Sequence, residues 1–108
     1  MSKLNSITLR KDNSMIEHYI RDDGVQDIYR FKNGYGASVV CSRGSYGGKQ
    51  GLKELAVLDK DGSLCYDTPV TSDVIGWLTD EQVEVYLSQI ASLPAEMKKL
   101  STEVKRLT

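Results

Sequence analysis

Two cysteines, two prolines and a single histidine among 108 residues remove several classes of protein at once. Cys41 and Cys65 form no C-x-x-C pair, and His18 alone adds too little for a zinc site. Two thiols also fall short of a secreted disulfide scaffold. No apolar run approaches the roughly 18 residues of a membrane span, and residues 1–10 lack a signal-peptide core. Neither sign of charge dominates, since 14 Lys and Arg stand against 15 Asp and Glu. A general nucleic-acid-binding domain would show a basic excess. What remains is a small globular α+β chain, 40% hydrophobic and 27% charged, long enough for one domain that buries about two-thirds of its unfolded surface.

The near-neutral total hides a split. Residues 25–53 carry Arg30, Lys32, Arg43, Lys49 and Lys53 against Asp27 alone. Residues 54–93 carry Glu54, Asp59, Asp61, Asp67, Asp73, Asp80, Glu81 and Glu84 against Lys60. A layout of this kind can steer a charged partner onto one face, or simply solvate the surface.

Residues 1–24 alternate poorly and read as a loosely ordered arm with one short strand at most, ending in the turn sequence Arg21-Asp22-Asp23-Gly24. The domain proper is expected over 25–93. Residues 27–32 alternate apolar and polar, Asn33-Gly34 predicts a type I′ turn, and 35–41 return as a β-branched run. Residues 42–51 hold four glycines and no aliphatic side chain, which predicts a loop. Leu55-Ala56-Val57-Leu58 and Ser63-Leu64-Cys65-Tyr66 then bracket Asp59-Lys60-Asp61-Gly62, a type I turn closed by Gly62. Two successive hairpins predict a four-stranded antiparallel meander with one face to be covered. The cover is a C-terminal helix: Thr79 and Gln82 form a capping box, Leu78 and Val83 a hydrophobic staple, and Val83, Tyr86, Leu87, Ile90 and Ala91 an apolar stripe. Pro94 ends or kinks that helix. Beyond it, 94–108 predicts a second amphipathic helix whose Met97, Leu100, Val104 and Leu107 either fold back on the sheet or drive oligomerisation.

Most site chemistry is excluded by spacing. The Gly-rich loop with Arg43 and Lys49 could cradle an anion, yet a P-loop would need Gly where Arg43 stands and Ser or Thr where Gln50 stands. A nucleophile elbow around Ser45 fails at the same Arg43. Alignment of Gly62 with a calcium loop leaves Val57 and Thr68 where carboxylates are required. His18 announces no triad. No cofactor or metal is therefore expected. Tyr29, Tyr35 and Tyr46 lie in the basic segment, where base stacking competes with ordinary cross-strand packing. Trp77, beside the staple, reads as a core anchor.

The series Tyr29-Arg30-Phe31-Lys32-Asn33-Gly34-Tyr35-Gly36-Ala37-Ser38-Val39-Val40, Ser45-Tyr46-Gly47-Gly48, Glu54-Leu55-Ala56-Val57-Leu58, Tyr66-Asp67-Thr68-Pro69-Val70-Thr71 and Asp73-Val74-Ile75-Gly76-Trp77-Leu78 resembles a family of small bacteriophage-encoded proteins of unknown function. The resemblance covers residues 28–93. It implies a protein made in the cytoplasm of an infected bacterium that works without enzymatic chemistry by binding a host protein, as an inhibitor of a defence system or of a nucleic-acid enzyme. Two surfaces are candidates for that contact: a basic one with Arg30, Lys32, Arg43, Tyr46, Lys49 and Lys53, and an acidic one with Asp59, Asp61, Asp67 and Asp73. The competing expectation is a nucleotide or nucleic-acid binder that uses the basic Gly-rich hairpin.

Overall fold

One kind of turn, used three times, organises the sheet. In each, the first residue of five donates its N–H to the fifth and accepts from the fourth: Arg10 with Ser14 and Asn13, Phe31 with Tyr35 and Gly34, Asp59 with Ser63 and Gly62. The fourth residue is left-handed every time, with φ of 66° at Asn13, 94° at Gly34 and 80° at Gly62, the conformation that Gly and Asn accept most readily. This is a type I turn closed by an αL residue. The type I′ geometry expected at Asn33-Gly34 is thereby corrected, because only Gly34 of the pair has positive φ. At 59–62 the expected turn is the one observed.

The computed structural model describes residues 3–95. Its elements in chain order are β1 (Lys3–Leu9), β2 (Met15–Arg21), β3 (Gly24–Arg30), β4 (Gly36–Ser42), a single 3-10 turn (Gly48–Gln50), β5 (Lys53–Leu58), β6 (Ile75–Leu78) and α1 (Asp80–Ala91). The fold is α+β, an antiparallel sheet of six strands in the order β1-β2-β3-β4-β5-β6 with one helix. Three strands of the expected four-stranded meander, β3, β4 and β5, are present, and β1, β2 and β6 join them. The loose arm over 1–24 is corrected: its described part forms β1 and β2, joined by the Lys11-Asp12-Asn13 turn, in which Asp12 Oδ1 accepts from the Ser14 N–H at 2.9 Å.

The expected return strand after Gly62 is corrected too. It contributes only a bridge from Leu64 to Leu58 and a Cys65 N–H to Val57 carbonyl bond of 2.8 Å. Asp67, Thr68 and Pro69 then break the run, and Pro69 has no N–H for a ladder. The place beside β5 goes to β6, through Lys53 opposite Leu78 and Leu55 opposite Ile75. The acidic candidates Asp59, Asp61, Asp67 and Asp73 all lie on this long connection.

The helix forms as the sequence dictates. Thr79 Oγ1 accepts from the Gln82 N–H at 3.2 Å and Gln82 Oε1 accepts from the Thr79 N–H at 2.9 Å, a reciprocal cap that contributes about 1 kcal/mol. Val83, Leu87 and Ile90 are buried against Tyr29, Phe31, Ala37, Val39, Leu55, Val57 and Leu78, with Tyr86 partly buried and Ala91 exposed. Two ties fix the helix over the sheet. Asn33 Nδ2 donates to the carbonyls of Ile90 (2.8 Å) and Leu93 (3.0 Å), at and just beyond the helix end, where carbonyls lack i+4 donors. Arg10 donates to Glu84 at 2.9 Å while its guanidinium lies 5.4 Å from the Tyr29 ring centre. Met97, Leu100, Val104 and Leu107, and with them the expected second helix, lie outside the described residues.

Candidate functional site

The largest departure from the expected core is Trp77. It is 58% exposed and its φ is 60°, a left-handed backbone that bulky L-residues rarely adopt. The expectation of a core anchor is corrected, and the reason is local. Between the pairs Lys53–Leu78 and Leu55–Ile75, β6 carries one residue more than β5, so Gly76 and Trp77 bulge outward together while Ile75 and Leu78 stay turned to the core. The signal lay in the staple: with Leu78 committed inward, alternation sends Trp77 out.

Glycines let the loop close onto this bulge. A Cβ on Gly76 would stand 2.3 Å from Tyr46 Cβ, and one on Gly47 would stand 3.0 Å from Trp77 Cα and 3.2 Å from its indole. Each aromatic residue thus lies over the glycine beside the other. The Trp77 N–H donates to the Tyr46 carbonyl at 3.1 Å, and the Tyr46 N–H donates to Glu54 Oε1 at 3.0 Å. Tyr46 remains 64% exposed. Two large aromatic side chains are therefore held at the surface on a backbone that is bonded rather than loose.

The same bonding takes up most of the donors an anion cradle would use. The N–H groups of Ser45, Gly48, Gln50, Gly51 and Leu52 donate to carbonyls within the loop, and that of Tyr46 to Glu54. Ser45 Oγ accepts from the Ser42 N–H at 2.9 Å and donates to its carbonyl at 3.0 Å. Arg43 and Lys49 stand exposed on this loop. Lys53 sits 2.8 Å from Asp80, which raises its pKa.

Arg30 and Lys32 lie at the other end of the sheet, where β3 leaves for the 31–35 turn. Seven-residue strands separate the two groups, about 20 Å. The six basic-surface candidates are thus divided, with Arg43, Tyr46, Lys49 and Lys53 together and Arg30 and Lys32 apart. Arg30 bonds Glu17 at 3.3 Å and holds that carboxyl below its usual range; its guanidinium also reaches within 3.9 Å of where a Gly62 Cβ would be. Among the acidic candidates, Asp59 Oδ1 accepts from the N–H groups of Asp61 and Ser63. Asp73 accepts from Val74 at 2.7 Å, and Asp67 meets the Cys65 thiol, whose pKa is pushed up by burial and by that carboxylate. Tyr29 is buried, stacked on Phe31 with centroids 6.4 Å apart, and offers no face to a base.

One polar constellation was invisible in the sequence. His18 Nδ1 bonds Asp27 across β2 and β3, and the register sets Ser6 of β1 opposite His18. The order Ser-His-Asp is that of a triad, but the three residues lie on neighbouring extended strands, which do not converge a pair of N–H groups on one point as an oxyanion hole requires. Among the described residues no group of three or more His, Cys, Asp or Glu could hold a metal ion, and no helix is long and apolar enough to cross a membrane. Compared with known proteins, the chain matches no family model, no curated protein and no solved structure.

Proposed function

We propose that this protein acts by binding another protein, with Tyr46 and Trp77 as the anchors of the contact and Arg43 beside them on the loop. The exposed, glycine-clasped aromatic pair carries the reading. Trp, Tyr and Arg dominate the energetics of protein interfaces, and a preformed loop loses little entropy when it docks. The positive φ of Trp77 supports it further, because strain at an exposed residue persists where function requires it. In line with the phage resemblance, the proposed partner is a host protein in the bacterial cytoplasm, a defence component or nucleic-acid enzyme that the bound protein inhibits.

The alternative, a nucleotide or nucleic-acid binder, needs a continuous cationic face. The division of the cations between two ends and the pairing of Lys53 and Arg30 with carboxylates weigh against it. The test is affinity capture from bacterial lysate with the wild type and with a Tyr46→Ala, Trp77→Gly variant, at low and moderate salt. A stoichiometric host protein retained by the wild type and lost by the variant is expected. Recovery of nucleic acid or nucleotide in its place overturns the reading, as does equal retention by both proteins.

A further inference from the structure

The two edges of the sheet are treated differently. On β6, the N–H of Trp77 is taken by Tyr46 and the helix packs alongside. On β1, all seven residues are exposed, and from Leu4 to Leu9 none is charged. Register places Ile7 opposite Glu17 and Leu9 opposite Met15, so these side chains share the sheet face turned away from the helix. There Ile7 is 58% and Leu9 66% exposed, with Met15 beside them. A long, neutral edge with an apolar row and no partner strand among the described residues is a template for another strand.

We propose that β1 joins two copies of this chain edge to edge, antiparallel, into one continuous sheet. The edge selects its occupant by charge and pattern. A partner strand must be uncharged along the pairing stretch and apolar on one face only, and residues Leu4 to Leu9 of β1 meet both conditions. Register follows by elimination. Centring the pair on Ser6 sets Leu9 against Lys3 of the second copy, and centring on Ile7 sets Leu9 against Asn5. Centring on Thr8 keeps residues 7–9 paired within β1, with Ser6 facing Arg10 just beyond it, and sets Ile7 against Leu9 twice, so that four apolar side chains meet beside the two Met15 residues. The two Tyr46–Trp77 sites then lie on the outer edges, and the dimer stands independently of the function proposed for them.

Sedimentation velocity of the full chain over a hundredfold concentration range tests this. Reversible doubling of the mass is expected, with the dissociation constant raised at least tenfold by Ile7→Lys or Leu9→Lys. Both positions are exposed, and thermal melting followed by circular dichroism verifies that each variant is folded. Opposed residues of an antiparallel pair bring Cα atoms to about 4.5–5.5 Å, within disulfide range. Thr8→Cys is therefore expected to give a covalent dimer under mild air oxidation, well above the background from Cys41 and Cys65 in the wild type, whereas Leu4→Cys stays at background. A monomer at every concentration overturns the proposal. So does a dimer that survives both lysine substitutions, or one abolished by Leu100→Glu and not by Ile7→Lys, which would assign association to the C-terminal tail.

Discussion

Trp77 is held in a conformation that any L-residue resists by about 1–2 kcal/mol. The strain makes a sharp prediction. In an ordinary strand Gly is less stable than Ala by roughly 0.5–1 kcal/mol, but at φ of 60° the order should reverse. Trp77→Gly is expected to be more stable than Trp77→Ala by about 1 kcal/mol, read as the difference in urea midpoints, and equal or opposite values would remove the strain. Asn33 offers a second case. Its amide donates twice to the end of α1, and its Oδ1 accepts from the Tyr35 N–H at 3.0 Å. Loss of these bonds in Asn33→Ala is expected to destabilise by about 1–3 kcal/mol. Asn33→Asp should be at least as damaging at neutral pH, because a carboxylate would face the carbonyls of Ile90 and Leu93; a near-neutral Asp variant would show that the two donated bonds contribute little.

At the scale of elements, legibility followed the strength of local chemistry. The helix was readable to its first residue because Thr79, Gln82, Leu78 and Val83 all point to one start. β3, β4 and β5 were readable from alternation. β1 and β2 were not, because Ile7 and Leu9 face solvent and leave no one-sided pattern. The turns carry the missing signal: Lys11-Asp12-Asn13, Lys32-Asn33-Gly34 and Lys60-Asp61-Gly62 are one motif, but the first lacks the Gly that marks a turn at the other two, and only the type at Asp59–Gly62 is the expected one. The loop of the candidate site is evident from its glycines, and alternation from Leu78 already turns Trp77 outward, whereas the bulge that keeps both Ile75 and Leu78 on the core arises from pairing with β5, which no local window contains. Cross-strand pairing also sets a pH dependence. Arg30 lowers the Glu17 pKa across β2 and β3, and Ser14 lowers that of Asp12. With folded values below unfolded ones, these groups stabilise above the ordinary carboxylate range, and that stability disappears as the pH falls through the lowered values. Urea midpoints between pH 7 and pH 3 should therefore drop, and drop less in Glu17→Gln. An unchanged slope would show that the Arg30 pairing is screened out.

For the whole molecule, cover is uneven. The helix lies over β4, β5 and β6 and is tied at its end to Asn33, while the β1–β2 hairpin meets it through the Arg10–Glu84 pair and reaches the core through Ile16. Buried apolar contact is what makes a segment open only with global unfolding. Leu55, Val57 and Ala37 in the middle of the sheet are almost inaccessible, and β1 is exposed throughout. Hydrogen exchange at low protein concentration should therefore be slowest at β4 and β5 and fastest at β1. Glu84→Gln, which weakens the tie to Arg10, should speed β1 and β2 without altering β4 or β5. Uniform protection across the six strands would mean that the sheet opens only as a unit and that the Arg10 tie is incidental. Raising the concentration separates local stability from association: if β1 pairs with a second copy, the amides of Ile7 and Leu9 should slow while the slow amides of β4 and β5 change little. The edge strand is then the least stable part of the monomer and the seam of the dimer for one reason, the absence among the described residues of a neighbour beyond β1.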